Sequence, residues 1–380
     1  MILTQCAVCA TELGLTLGKK CGRCSTRYCG PECQLQHWKE GGHDKLCKPI
    51  KKAGGAEAYN ANKKYSEAVS VAAEACADDT KGQTCYICTQ TLHWKTKEGL
   101  VRGCSCRGTA GFAHVSCLAE QAKILFAEVE GTNLGIEVVS ERSARWHKCG
   151  LCEQDYHGVV SCALGWACWK TYVGRPEADI ARRLALSQLG TGLESAGHHE
   201  EALSVHEAEL SMMRRIGASE VETLVTQNNL ANTYHMLGRF EQALRARRDV
   251  YSGMLKLSGG ENPMTLETAH NYGRCLLDLK RLKETKSLLR KTVPVARRIL
   301  GEGNNLTLRM RKMYAETTYV DAGATLDDLR EAVTTLEDVE RTARRVLGGA
   351  HPFTTAIESG LLKSRAVLRD REASPPPGTA

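Results

Sequence analysis

Long apolar runs are missing from this 380-residue chain. No stretch of eighteen or more apolar residues occurs, so no segment is expected to cross a membrane as a helix. Aromatics are scarce, at 5% with four Phe, which argues against a large aromatic-rich β-sandwich. The opening "MILTQCAVCA" lacks a basic segment followed by an apolar stretch. No secretory signal is therefore expected, and the default compartment is cytoplasmic or nuclear. No phosphate-binding glycine loop, Ser/His/Asp set or redox cysteine pair stands out. The net charge of +7 is modest for this length. Nucleic acid is not an expected partner, because that reading needs basic residues clustered on one face. Cysteine is nearly absent from the second half: of eighteen, only Cys275 follows Pro176.

What is present divides the chain. Paired cysteines at short spacing in a reducing compartment point to zinc ligands before disulfides. Residues 1–49 form a first cysteine-dense block and 85–175 a second. Between them, 50–84 is alanine-rich, with Tyr65, Val69, Ala72, Ala73 and Cys76 at helical spacing, and reads as a connecting helix. After Pro176 the sequence turns to Leu/Ala/Glu/Arg-rich amphipathic segments over 176–370. The end, 371–380, closes on "ASPPPGTA" and is expected to be disordered.

The third part repeats. Thr223, Thr265 and Thr307 recur every forty-two residues, each followed by Leu (224, 266, 308), and Asn229 and Asn271 keep the same period. Such a period means stacked helical hairpins that bury their faces against one another. "NNLANTYHMLGRFEQAL" carries the small and large residues of the tetratricopeptide pattern, and the longer period resembles the repeats of kinesin light chains. In the next copy Lys280 stands where the hairpin glycine is expected. A fourth hairpin, about 304–347, carries a five-residue insertion, the next threonine in phase being Thr354, and "HPFTTAIESGLLKSRAVL" reads as a capping helix.

The first block runs Cys6-x-x-Cys9, Cys21-x-x-Cys24, Cys29, Cys33, His43, Cys47. Eight ligands suffice for two closed tetrahedral zinc sites, and a segment this short cannot bury enough core to fold without them. His37 competes for the histidine position. His43 is preferred because it stands four residues before Cys47 on an expected short helix, so both point the same way. Order and ending ("CQLQHWKEGGHDKLC") resemble the MYND zinc finger. The resemblance implies interleaved sites: Cys6, Cys9, Cys29 and Cys33 on one zinc, Cys21, Cys24, His43 and Cys47 on the other. It also implies binding of short proline-containing peptides or other proteins.

The second block runs Cys85-x-x-Cys88, Cys104, Cys106, His114, Cys117 and Cys149-x-x-Cys152. This order, with Gly108 and Thr109 at a small-residue turn, resembles the RING-CH (RING-variant) finger. That family's cross-brace implies Cys85, Cys88, His114 and Cys117 on one zinc and Cys104, Cys106, Cys149 and Cys152 on the other, so four zinc ions are expected per chain. Four protein ligands leave no open position for water, which argues against hydrolytic zinc chemistry. The resemblance implies instead docking of a ubiquitin-conjugating enzyme on an apolar patch that includes Ile87, with no catalytic nucleophile in this chain. Departures are Gln121 where the family usually has Trp, Gly150 where many members have Pro, and a long gap between Cys117 and Cys149. Trp146 is a candidate for the missing aromatic.

Cys162 and Cys168, beside Trp166 and Trp169, are expected to pack a helix against the finger, and Cys76 and Cys275 to be core residues. Asn229 and Asn271 are candidates for lining a groove that hydrogen-bonds an extended peptide; the alternative is local backbone bonding. The expected architecture is multidomain: two small zinc-stabilised fingers with little regular structure, followed by an all-α tetratricopeptide-like solenoid. Two functions fit it, a RING-CH-type ubiquitin ligase whose repeats and MYND finger recruit substrates, and a non-catalytic adaptor that binds peptide motifs.

Overall fold

Few apolar side chains are available before residue 50, and only small elements form there. In the computed structural model, which describes residues 6–9, 11, 13, 18–130, 136–349 and 351–373, strand β1 (Lys19–Lys20) pairs antiparallel with β2 (Arg27–Tyr28). Two short helices follow, α1 (Pro31–Lys39) and α2 (His43–Lys52). Pro31 opens α1, where its missing N–H costs nothing. The buried apolar cluster here is Cys6, Leu13, Cys21, Cys24, Tyr28, Cys47, Ile50 and Ala56. Half of it is cysteine, so apolar burial alone does not hold this part.

Helix α3 (Ala56–Ala75) corresponds to the expected connecting helix, but it is not a free linker. Ala61, Tyr65, Val69 and Ala72 are buried in a larger core. The other members come from α4 (Val115–Ala127), a 3-10 turn at Ala144–Trp146, α6 (Gly158–Tyr172), α7 (Ile180–Ser195) and α8 (His199–Arg215), with the short α5 (Ile136–Ser143) between α4 and the turn. This core runs without interruption from Ala61 to Met212. The compositional change at Pro176 is therefore not a break in packing. The cause lies in two glycines: a Cβ on Gly165 would come within 2.9 Å of the Gln188 carbonyl oxygen, and one on Gly192 within 2.7 Å of that of Ser161. Their absence of side chains lets α6 and α7 touch backbone to backbone. Helix α9 (Glu220–Met236), opened by a Ser219/Glu222 capping box, completes a unit of residues 1–237.

The second unit, 238–380, holds α10 (Phe240–Ser258), α11 (Pro263–Asp278), α12 (Leu282–Leu300), α13 (Asn305–Tyr319), α14 (Leu326–Leu347) and α15 (Pro352–Ala373), each packed on the next. The forty-two-residue threonine has a physical role here. The buried Thr265 hydroxyl donates to the Met254 carbonyl at the end of α10, and that of Thr307 donates equivalently to Ala296 of α12, both at 3.3 Å. Asn262 and Asn304 cap the helices that carry these threonines. Lys280 adopts a left-handed φ of 56°, as Gly197 (81°) and Gly238 (71°) do in the preceding hairpins. The insertion in the last hairpin is divided: α14 has 22 residues against 19 in α12, and the turn before it is longer. Residues 371–373 of the expected disordered tail belong to α15, and 374–380 lie outside the described residues.

Candidate metal centres and binding surfaces

Four groups of ligand atoms converge, each within 4.8 Å: Cys6/Cys9/Cys29/Cys33, Cys21/Cys24/His43/Cys47, Cys85/Cys88/His114/Cys117 and Cys104/Cys106/Cys149/Cys152. Local folding explains the pairs. In the tight knuckle Cys85–Cys88, the N–H groups of Ile87 and Cys88 donate to the Cys85 sulfur at 3.4 and 3.5 Å. Leu151 donates likewise to Cys149 at 3.4 Å in the Cys149–Cys152 knuckle. The antiparallel bridge Val101↔Ala113 closes the loop that carries Cys104 and Cys106, and His114 and Cys117 follow it in the chain. The histidine sits at the entry of α4, with Cys117 in its first turn. His43 and Cys47 lie one turn apart on α2. His37 takes a different role, with its Nδ1 3.0 Å from the Tyr28 hydroxyl.

The donor set fits zinc. Tetrahedral zinc with Zn–S of about 2.3 Å separates neighbouring sulfurs by roughly 3.8 Å. The sulfurs of Cys21 and Cys47 are 3.9 Å apart and those of Cys106 and Cys149 3.7 Å. The imidazole nitrogens fit as well. The His114 Nε2–H donates to the Thr91 carbonyl at 3.3 Å, so Nδ1 is left unprotonated 3.3 Å from the Cys88 sulfur and 3.6 Å from that of Cys117. Fixing the tautomer through the far nitrogen is what a histidine ligand requires. Burial pushes the Cys104 thiol up to about 11 and that of Cys117 higher still, whereas at Cys149, against its burial, the N–H donors of Cys152 and Leu151 draw the thiol down to about 7. All eighteen cysteines are unpaired by disulfides. These clusters are suited to binding metal, and each offers four protein ligands. The Cys21 group is fully buried, whereas Cys9 and Cys29 of the Cys6 group are exposed.

Ile87 projects from its knuckle 36% exposed, and Leu151 occupies the matching position of the other knuckle at 52%. The sequence reading missed Leu151, although its place before the last cysteine of C-x-x-C repeats that of Ile87. Gln121 lies beside this second knuckle, its Oε1 4.0 Å from where a Gly150 Cβ would stand. Trp146, the candidate for the missing aromatic, is buried and packs edge-on against Tyr172, 5.8 Å between ring centroids. Cys162 and Cys168 are buried in α6, and burial pushes the Cys162 thiol up to about 11 and that of Cys168 further, which suits packing and not nucleophilic work. Cys275 is buried and Cys76 half-buried.

The two repeat asparagines are held within their own units. Asn229 Nδ2 donates to the Ser187 hydroxyl at 3.3 Å, and Asn271 Oδ1 lies 3.3 Å from His270 Nδ1 while its backbone carbonyl accepts from Arg247 at 2.7 Å. A groove of about 490 Å³ does open in the second unit, lined by other residues: His270 and Arg274 of α11, Arg309 and Lys312 of α13, and Phe353 at the start of α15. Arg309 lies over the Phe353 ring, 5.6 Å from its centroid. Burial, with Arg309, Arg247 and Arg274 nearby, pushes the His270 imidazole down to about 4 against its bond to Asn271. Among the described residues no helix is long and apolar enough to cross a membrane.

Comparison with known proteins places names on these parts. A MYND finger model matches residues 6–47, a RING-variant domain model 85–129, and a tetratricopeptide repeat model 182–256. Cys149 and Cys152 lie beyond the second match, and it is the fold that returns them to Cys104 and Cys106. The outer dynein arm-docking complex subunit 4 of Danio rerio is 30% identical over 103 residues, 26% of this chain and 19% of that protein. The chain thus spans about a fifth of the length of that relative. A kinesin-light-chain-like structure from Podosopora anserina with nearly identical TPR-like repeats is 17% identical, covering 62% of this chain and 98% of its own, at a TM-score of 0.40. BtubC (BKLC) from P. vanneervenii is 10% identical, covering 70% and 95%, at 0.38. The chain carries a MYND finger, a RING-variant finger and a helical array of tetratricopeptide-like repeats.

Proposed function

We propose that each of the four clusters holds one zinc ion through the residues named above, and that the second finger is a RING-type ubiquitin ligase module. The observation that carries this reading is the pair of knuckles presenting Ile87 and Leu151 to solvent, one on each of two closed four-ligand centres. Closed centres have no position for substrate, so zinc would act by shape alone. The finger would dock a charged ubiquitin-conjugating enzyme on Ile87 and Leu151 and hold its thioester in a reactive pose, the acceleration coming from orientation. The MYND finger and the repeats would recruit the protein to be modified. The groove beside Arg309, Lys312 and Phe353 supports a peptide with carboxylates next to an apolar side chain.

Gln121 and Gly150 favour a second reading, a non-catalytic adaptor, because an amide and a bare backbone stand where ligases of this type carry Trp and Pro. Self-ubiquitination with a panel of conjugating enzymes decides between the two. The zinc-loaded chain is expected to form ubiquitin conjugates with at least one enzyme, and Ile87→Ala to lower the rate about tenfold with zinc content unchanged. No transfer from any enzyme supports the adaptor. Metal analysis is expected to give about four zinc per chain; two or fewer would undo one of the finger assignments.

A further inference from the structure

Of the eighteen cysteines, two are exposed, Cys9 and Cys29, and both belong to one ligand group. In the Cys21, Cys85 and Cys104 groups every member is buried or half-buried. In the Cys6 group only Cys6 is buried, with Cys33 half-buried. Cys76, Cys162, Cys168 and Cys275, which stand outside the groups, are half-buried or buried as well. Access from solvent therefore singles out one pair.

The backbone brings that pair together. The Cys6 N–H donates to the Thr11 carbonyl at 2.8 Å, closing the knuckle. The Ala7 N–H donates to the Arg27 carbonyl at 3.3 Å, which lays the knuckle against β2. Cys29 leaves the end of β2, and Cys33 stands in the first turn of α1. The sulfurs of Cys9 and Cys29 are 3.4 Å apart, and that of Cys29 is also 3.4 Å from Cys33. The Cys9 sulfur meets the Thr11 hydroxyl at 3.0 Å. Two neighbouring sulfurs open to solvent are the arrangement in which an oxidised cysteine finds a resolving partner before it oxidises further. Twenty residues separate them in the chain, so no C-x-x-C spacing announces the pair.

We infer that Cys9 and Cys29 form a peroxide-sensitive pair whose closure to a disulfide discharges the first centre and leaves the other three loaded. The inference rests on the reading that this group holds zinc. The Cys9 sulfur attacks one oxygen of hydrogen peroxide; the O–O bond breaks, hydroxide leaves, and Cys9 becomes a sulfenic acid. The Cys29 sulfur attacks that sulfur, the S–S bond forms and a second hydroxide leaves. The sulfurs lose two electrons, the peroxide gains them, and two protons from solvent complete two waters. Cys6 and Cys33 then remain as the only ligands, too few for a closed structural site. The new bond keeps the knuckle tied to the end of β2, so a thiol reductant with zinc restores the starting state.

Peroxide titration of the zinc-loaded full chain tests it, with released zinc read by a chromogenic chelator and disulfides by non-reducing peptide maps. One zinc per chain is expected to leave at least tenfold ahead of the rest, in step with a Cys9–Cys29 disulfide. Dithiothreitol with added zinc should reverse both changes. Cys29→His keeps a fourth ligand but removes the sulfur that both close contacts share, and should slow the first release at least tenfold. Should that variant fail to load zinc, the wild-type map still decides. Two or more zinc ions leaving together would overturn the inference, as would a first disulfide that includes any other cysteine. A disulfide between copies, or sulfinic acid on Cys9 without closure, would overturn it too. Zinc counted before peroxide tests the underlying zinc reading, so a chain that starts with about four and loses them at one rate refutes the inference alone.

Discussion

His270 shows how a single side chain reports its surroundings. It is buried in α11 with three guanidinium groups nearby, and its imidazole titrates at about 4. An unfolded histidine titrates near 6.5. Between these values the unfolded chain binds a proton that the native one refuses, so stability is whole above about 6.5 and falls as the pH drops toward 4, by about 3 kcal/mol in total. Denaturant unfolding of the full chain at successive pH values should show it as a difference between wild type and His270→Gln. The variant, with no titrating ring, should lose less stability on acidification, and parallel curves would show that the ring is not held neutral. Zinc loss at low pH is common to both proteins and cancels in the difference. The cysteines and histidines that converge in four groups are the residues whose spacing carried a local signal. A knuckle forces its two cysteines to stand three apart, and one helical turn forces His43 and Cys47 to stand four apart. His270 carried no such signal, because its partners Arg247 and Arg309 come from helices before and after it.

At the level of elements, the crossing of α6 and α7 rests on absent side chains. An alanine Cβ at Gly165 would stand 2.9 Å from the Gln188 carbonyl oxygen and 3.1 Å from the Leu189 Cα, and one at Gly192 2.7 Å from the Ser161 oxygen. Backbone cannot move aside as a side chain can, so the helices would have to separate. Gly165→Ala and Gly192→Ala should each destabilise by about 1–3 kcal/mol. Gly273 of α11 is the internal comparison: its neighbours at 3.5 Å are the flexible ends of Leu288 and Met313. Gly273→Ala should be neutral or stabilising by up to ~1 kcal/mol through helix propensity. Chemical denaturation midpoints separate the cases, and equal effects at all three positions would refute the close crossing. The repeats were legible because Thr265 and Thr307 do the same thing forty-two residues apart. The docking of α3 and α6 was not, since a stripe of alanines or a lone glycine says that something comes near but not what. The change of composition at Pro176 suggested a boundary that packing does not respect, because α7 is at once the first repeat helix and the partner of α6.

At the scale of the whole molecule, metal divides the labour between the units. In the first, Cys85, Cys104, Cys117 and Cys149 belong to the same buried core as Phe112, Trp166 and Leu189. Removing zinc would leave thiols or uncompensated thiolates inside that core, and the penalty would spread through α3, α4, α6 and α7. The second unit has no such cluster among its described residues. Its interior is aliphatic, with Leu266, Leu289 and Met310 in one cluster and Leu308, Leu336 and Ile357 in another. A strong chelator is therefore expected to open residues 6–237 and leave α10–α15 folded. Limited proteolysis in chelator should accumulate a fragment starting near Gly238, and circular dichroism should keep the helical signal of six helices. Restored zinc should remove the cleavage sites. Loss of all helicity in one step would show that the array needs the metal-held unit to fold. A resistant fragment starting near Pro176 would place the independent unit at the compositional boundary instead, with α7 to α9 standing without the fingers.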